Sequence, residues 1–151
     1  VSRMRKTREM FDAIGEKEGK PARLAVTRLA FVTKSKKDAE HYIDCALYQQ
    51  RLAVALKTRR EKIANNYVVQ EHPYDEEPSL DNIRRNLPVG DVDSCIEKMV
   101  RIVRELDPVH IAIQPQVGDM DHHKAMASME LWANEVAPAV LRETGRAALA
   151  A

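Results

Sequence analysis

Apolar residues at the start of the chain recur at helical spacing. Met4, Met10, Phe11 and Ile14 form a stripe among Arg, Lys and Glu, which predicts a helix over Ser2 to Glu18. Gly19 and Pro21 stop it. From Arg23 to Val32 the chain reads RLAVTRLAFV, a near-continuous apolar run. Such a run predicts a strand covered on both faces, as in a parallel sheet. Ser35 is placed to cap a second helix, with Asp38 three residues on. That helix is expected to run to about Lys57 and to bury Ala39, Ile43, Ala46, Leu47, Ala53 and Val54.

The periodicity then lapses. Thr58 to Leu87 holds Asn65-Asn66, Pro73, Pro78 and the acidic run Asp75-Glu76-Glu77, and reads as an irregular insertion, a lid or a partly disordered segment. Within it a short helix is expected near Asp81 to Arg85. Gly90-Asp91 opens the next helix, with Val92, Ile96, Met99, Val103 and Leu106 on one face and Pro108 closing it. Val109 to Gln114 alternates as a second strand: Val109, Ile111 and Ile113 point one way, His110, Ala112 and Gln114 the other. After the loop Pro115 to Met120, Asp121 is placed to cap a last helix. Its expected inner face is Met126, Met129, Ala133, Val136 and Val140; Pro138 should bend or end it, and the tail from Arg142 should fray.

Strands alternating with helices imply an α/β fold with parallel strands and right-handed crossovers. Two strands, four main helices and an irregular insertion do not close a sheet covered on both faces. The remaining strands are therefore expected from the rest of a longer chain, a partner chain or a second copy. The chain begins at Val1, without Met, and enters a helical pattern almost at once, which reads as a fragment, a processed chain or an expressed piece.

Composition narrows the class. With 151 residues, 31% charged and 44% hydrophobic, this is one domain's worth of a globular balance. A formal net charge of +1 gives no strong pull on nucleic acid or an anionic membrane. The aromatic content of 5% is too low for a basic, aromatic-interleaved nucleic-acid face, although Arg59-Arg60 and Arg84-Arg85 flank the irregular segment. No apolar run reaches the roughly 20 residues that span a bilayer, and no signal peptide is visible. Cys45 and Cys95 fall on helical apolar faces and read as buried free thiols of a cytoplasmic protein. The acidic run reads as a solvated stretch. His122-His123 are adjacent on a helix and diverge, so no metal site is expected there.

The last third of the chain carries a resemblance. Gly118-Asp119-Met120-Asp121-His122, followed by Ser128-Met129-Glu130-Leu131-Trp132-Ala133-Asn134-Glu135-Val136-Ala137-Pro138, resembles the closing loop and helix of the bacterial luciferase-like flavin-dependent monooxygenases. Gly90 to Met99 resembles that family's helix start before the last strand, and Val26 to Val32 its penultimate barrel strand. The sequence departs from the pattern at Asp119, where a second Gly is usual, at Trp132 for Phe and at Val92 for Pro.

The resemblance implies that residues 1–151 are the C-terminal part of a TIM (β/α) barrel, with 58–87 an insertion or lid, and that a flavin lies at the C-terminal ends of the strands. It implies reduced FMN, or in one branch a deazaflavin, a separate flavin reductase, a small organic substrate and often a homo-oligomer. The family's best-known phosphate-gripping and catalytic positions lie in the half of the barrel outside this sequence, so the catalytic residues stay unassigned. Gln114, Gln116, Gly118 and Met120 follow the last strand and are the pocket candidates; the plainer reading is a connecting loop. Arg28, inside an apolar strand, either contacts an anion or cofactor at a pocket rim, or reaches a strand end or pairs with a carboxylate. Two functions follow: part of a flavin-dependent monooxygenase, inactive alone, or a non-catalytic half-barrel that associates with a partner chain or itself. A helical regulatory domain using the basic pairs is a third and weaker reading.

Overall fold

The structure, a computed structural model, describes residues 2–70 and 72–146. Its elements run α1 (Ser2–Glu18), β1 (Ala25–Leu29), β2 (Phe31–Val32), α2 (Lys36–Thr58), β3 (Lys62–Ala64), β4 (Tyr67–Gln70) and α3 (Leu80–Asn86). Then follow β5 (Val89–Gly90), α4 (Val92–Leu106), β6 (His110–Gln114), α5 (His122–Leu131), a π-helical turn (Trp132–Val136) and α6 (Ala137–Glu143). This is a mixed α/β fold with short parallel strands.

The expected strand Arg23–Val32 serves two neighbours. β1 pairs in parallel with β6, Val26 beside Ile111 and Leu29 beside Gln114. β2 pairs in parallel with β5, Phe31 beside Val89. The Ala30 amide donates to the Gln114 carbonyl at 3.2 Å and the Phe31 amide to the Pro88 carbonyl at 3.0 Å. Successive amides of an extended chain point to opposite edges, so Ala30 marks the crossing from one ladder to the other. β5 is too short for hydrophobic periodicity to reveal.

Helices cover one face of the β1–β6 pair. Val26 and Val32 pack with Met99, Ile102, Val103 and Leu106 of α4 and with Val136 and Val140. Each such side chain, fully buried, contributes about 1.5–3 kcal/mol. On the other face Ala25, Thr27, His110 and Ala112 are exposed. A second cluster joins Phe31 and Val89 to Tyr42, Ile43, Cys45 and Ala46 of α2 and to Ile83, Val117 and Met120. Phe31 and Tyr42 stack at a centroid distance of 5.0 Å.

Several expectations are corrected. Only Met4 of the α1 stripe packs on the core; Met10, Phe11 and Ile14 are exposed. In α2, Ala53 is exposed and Ala55 buried instead. Met126, Met129 and Ala133 face outward, because Ala125 and Ser128 form the inner face of α5. Pro138 does not end the helix: the Ala137 amide reaches back to the Trp132 carbonyl, and this wider π turn absorbs the amide that proline lacks. Beyond Arg142 the helix continues to Glu143, and Arg146 pairs with Asp107 and donates to the Pro108 carbonyl. Ala147 to Ala151 lie outside the described residues.

The segment 58–87 is more regular than expected. β3 and β4 form an antiparallel hairpin. Asn65 and Asn66 both take positive φ, 51° and 64°, as the two-residue turn that matches strand twist requires. Ser79 caps α3 by accepting from the Asn82 amide at 3.2 Å.

Candidate functional site

The residues that follow β6 form a compact loop pinned to α2. The Gln114 carbonyl accepts from both the Ala30 amide and the Tyr42 hydroxyl, which fixes the backbone where the strand ends. Burial pushes the Tyr42 phenol well above its usual range, so it stays a donor. The Gln114 carboxamide donates to the Gln116 carbonyl at 3.3 Å, and the Gln116 carboxamide to the Met120 carbonyl at 3.1 Å. Val117 and Met120 point inward and are buried in the α2 cluster. Met120 is thus a packing residue beneath the loop, in the same buried cluster as Tyr42.

Gly118 is fixed by two constraints. Its φ is +57°, and a Cβ there would sit 2.9 Å from Cys45 Sγ and 3.0 Å from Cys45 Cβ. That close approach brings the next residue, Asp119, over α2. One carboxylate oxygen of Asp119 lies 3.0 Å from His41 Nε2 and accepts from the Cys45 thiol at 3.3 Å. His41 Nε2 and Cys45 Sγ are 3.8 Å apart. The thiol is raised in pKa, first by burial and then by the carboxylate beside it, while that contact lowers Asp119. His41 and Cys45 sit one helical turn apart on α2, a spacing visible in the sequence. Their partner Asp119 lies 74 residues beyond Cys45, so the grouping was not visible.

Arg28 does not join this loop. In register beside Ile113, it lies on the strand face opposite Gln114, and its guanidinium meets the Met4 sulfur of α1. Its Nε is buried without a partner, and burial lowers its pKa. Cys95 is enclosed by apolar residues, and burial pushes its thiol up to about 12, which leaves it inert near neutrality.

Two of the charged residues singled out from the sequence, Glu77 and Arg84, are held in ion pairs. Glu77 is not solvated as the acidic run suggested: Arg51 grips its carboxylate at 2.6 and 2.7 Å. Arg84 pairs with Glu40 and Asp81, and Arg59 takes the left-handed cap that ends α2. His122 and His123 are exposed, with ring centroids 6.1 Å apart. Between α2 and α3 an open cleft of about 1040 Å³ is lined by Ala46, Gln49, Ile83 and Leu87, and reaches Leu29, the register partner of Gln114. Among the described residues no helix is long and apolar enough to cross a membrane.

No protein-family model matches the chain. Over 130 residues the chain is 33% identical to an uncharacterized protein, y4vJ, of Sinorhizobium fredii (strain NBRC 101917 / NGR234). The match covers 86% of this chain and 37% of that protein. The crystal structure of monooxygenase RslO1 from Streptomyces bottropensis is similar to this fold with a TM-score of 0.65 at 17% identity. That likeness covers 91% of this chain and 38% of the RslO1 chain. The chain therefore spans less than two fifths of the length of each of these two proteins.

Proposed function

We propose that this chain is the C-terminal part of a TIM-barrel, flavin-dependent monooxygenase of the luciferase-like type, and that it closes the pocket end of a barrel whose other strands come from a longer chain. The observation that carries this reading is the one-sided sheet: β1 and β6 are parallel, helix-covered on one face and bare on the other. A barrel lumen would cover the bare face. The fold likeness to 38% of a monooxygenase supports the oxidative reading.

The residues present fit a flavin ring in part. Gln114 ends β6 beside the bare face, and its carboxamide offers a donor and an acceptor suited to a ring's polar edge. Arg28 lies on the other face, so the phosphate of FMN would be held by the rest of the barrel. When bound, reduced FMN or a deazaflavin supplies the redox chemistry toward oxygen and a small organic substrate. This chain's own part is to orient the ring through Gln114, to keep the strand exit rigid through Tyr42 and Gln116, and to exclude water with the 58–87 segment. Reduced flavin would arrive from a separate reductase.

The test compares the 151-residue chain with the longer protein that carries it. Flavin titration should show binding only by the longer protein, and Gln114→Ala should weaken it about tenfold or more. Tight FMN binding by the short chain, or no flavin binding by the longer one, overturns the proposal. The bare sheet face equally favours a second reading, a non-catalytic module that pairs with itself or a partner chain. A longer protein that dimerises through this face and binds no flavin would support that reading.

A further inference from the structure

Three potential ligand atoms converge at the loop–α2 contact: His41 Nε2, Cys45 Sγ and an Asp119 carboxylate oxygen, all within 4.8 Å of one another. We propose that they form a binding site for a borderline-soft divalent cation of the zinc type, clasping the loop after β6 onto α2.

The geometry supports this. Tetrahedral zinc with one sulfur, one nitrogen and one oxygen ligand sets ligand–ligand edges of about 3.3–3.6 Å, given the usual bond lengths. The observed edges are 3.0 Å for nitrogen to oxygen, 3.3 Å for sulfur to oxygen and 3.8 Å for sulfur to nitrogen. A dication therefore needs shifts of only a few tenths of an ångström. A thiolate and a carboxylate supply two negative charges and imidazole a neutral nitrogen, the donor set that favours zinc over magnesium or calcium. Two ligands come from one face of α2, one turn apart, and are pre-positioned by the helix. The third is delivered by the left-handed Gly118, which lets the loop lie against Cys45. Cys45 is buried, whereas His41 and Asp119 are exposed, so the fourth coordination position opens outward. Binding exchanges the thiol proton, released to solvent, for the metal. The site does not depend on the flavin reading.

The full chain, stripped with chelator, is titrated with Zn²⁺ and separately with Co²⁺. One ion per chain is expected, together with a thiolate-to-cobalt charge-transfer absorption. Asp119→Asn, at an exposed position that leaves the core intact, should weaken binding about tenfold or more, and Cys45→Ser should abolish the charge-transfer band. His122→Ala with His123→Ala should change neither. Absence of the charge-transfer band in the unmodified chain overturns the proposal. So does affinity unchanged by Asp119→Asn, or binding lost with the two exposed histidines.

Discussion

Ser128 shows how a single atom joins distant parts of the chain. It is the buried polar side chain of α5, and its hydroxyl accepts from the Val32 amide at 2.7 Å. Ser128→Ala leaves that buried amide without a partner, at a cost of about 1–3 kcal/mol in chemical denaturation. A change within experimental error would mean that water or a backbone shift replaces the hydroxyl. Gly118 and Gly19 form a natural comparison, since both have positive φ, +57° and +63°. A Cβ at Gly19 meets nothing within 4 Å, whereas one at Gly118 strikes Cys45. Gly19→Ala should therefore cost about 1 kcal/mol from backbone strain, and Gly118→Ala clearly more. Equal melting shifts would show that α2 yields to the added methyl. At this scale the helix caps were legible, because Ser35, Asp91 and Asp121 accept from amides two or three residues away. Ser128 and Asp119 were not, because their partners are remote in sequence.

The element with the most distinctive behaviour is the 58–87 segment. Its hairpin turns on Asn65-Asn66, and glycine takes positive φ more readily than asparagine. Asn66→Gly should slow amide exchange across β3 and β4; faster exchange would count against the turn geometry. The segment is tied to α2 by the Arg51–Glu77 pair, whose side chains are 24% and 17% exposed. Arg51 holds the Glu77 carboxyl below the usual carboxylate range. A folded value lower than the unfolded one adds stability above the unfolded pKa of about 4.3. That stability is lost as pH falls through the lowered folded value. Proteolytic cutting within 58–87 should thus rise in acid, and Glu77→Gln should bring the same sensitivity to neutral pH, at about 1 kcal/mol. Cutting that ignores both would show that the hairpin is anchored elsewhere. The sequence flagged this stretch as an insertion but missed its hairpin, since β3 is exposed along its length and lacks a buried face to set a periodic pattern.

On the scale of the whole molecule, the apolar surface is unbalanced. Phe11 and Ile14 of α1 are 44% and 58% exposed, and Val109 beside β6 is 49% exposed. On the proposed barrel reading, the missing strands would cover these surfaces together with the bare β1–β6 face. The isolated chain should self-associate with rising concentration in sedimentation experiments and bind a hydrophobic dye. A monomer that excludes the dye at high concentration would mean that the fold is complete as it stands.

The sequence alone determined the α/β order, the Met99, Val103 and Leu106 core of α4, the Ile43 and Ala46 part of the α2 core, the β6 alternation and the capped helix starts. These are set within a few residues, by periodicity and by side chains that bond their own backbone. Only the tertiary structure decided that Ala30 divides one strand between two ladders, that Met10, Phe11 and Ile14 remain uncovered, and that Arg28 meets Met4 on the strand face opposite Gln114. It also decided that His41, Cys45 and Asp119 meet. Those outcomes depend on which neighbour occupies each face, and contacts spanning tens of residues leave no local pattern in the chain.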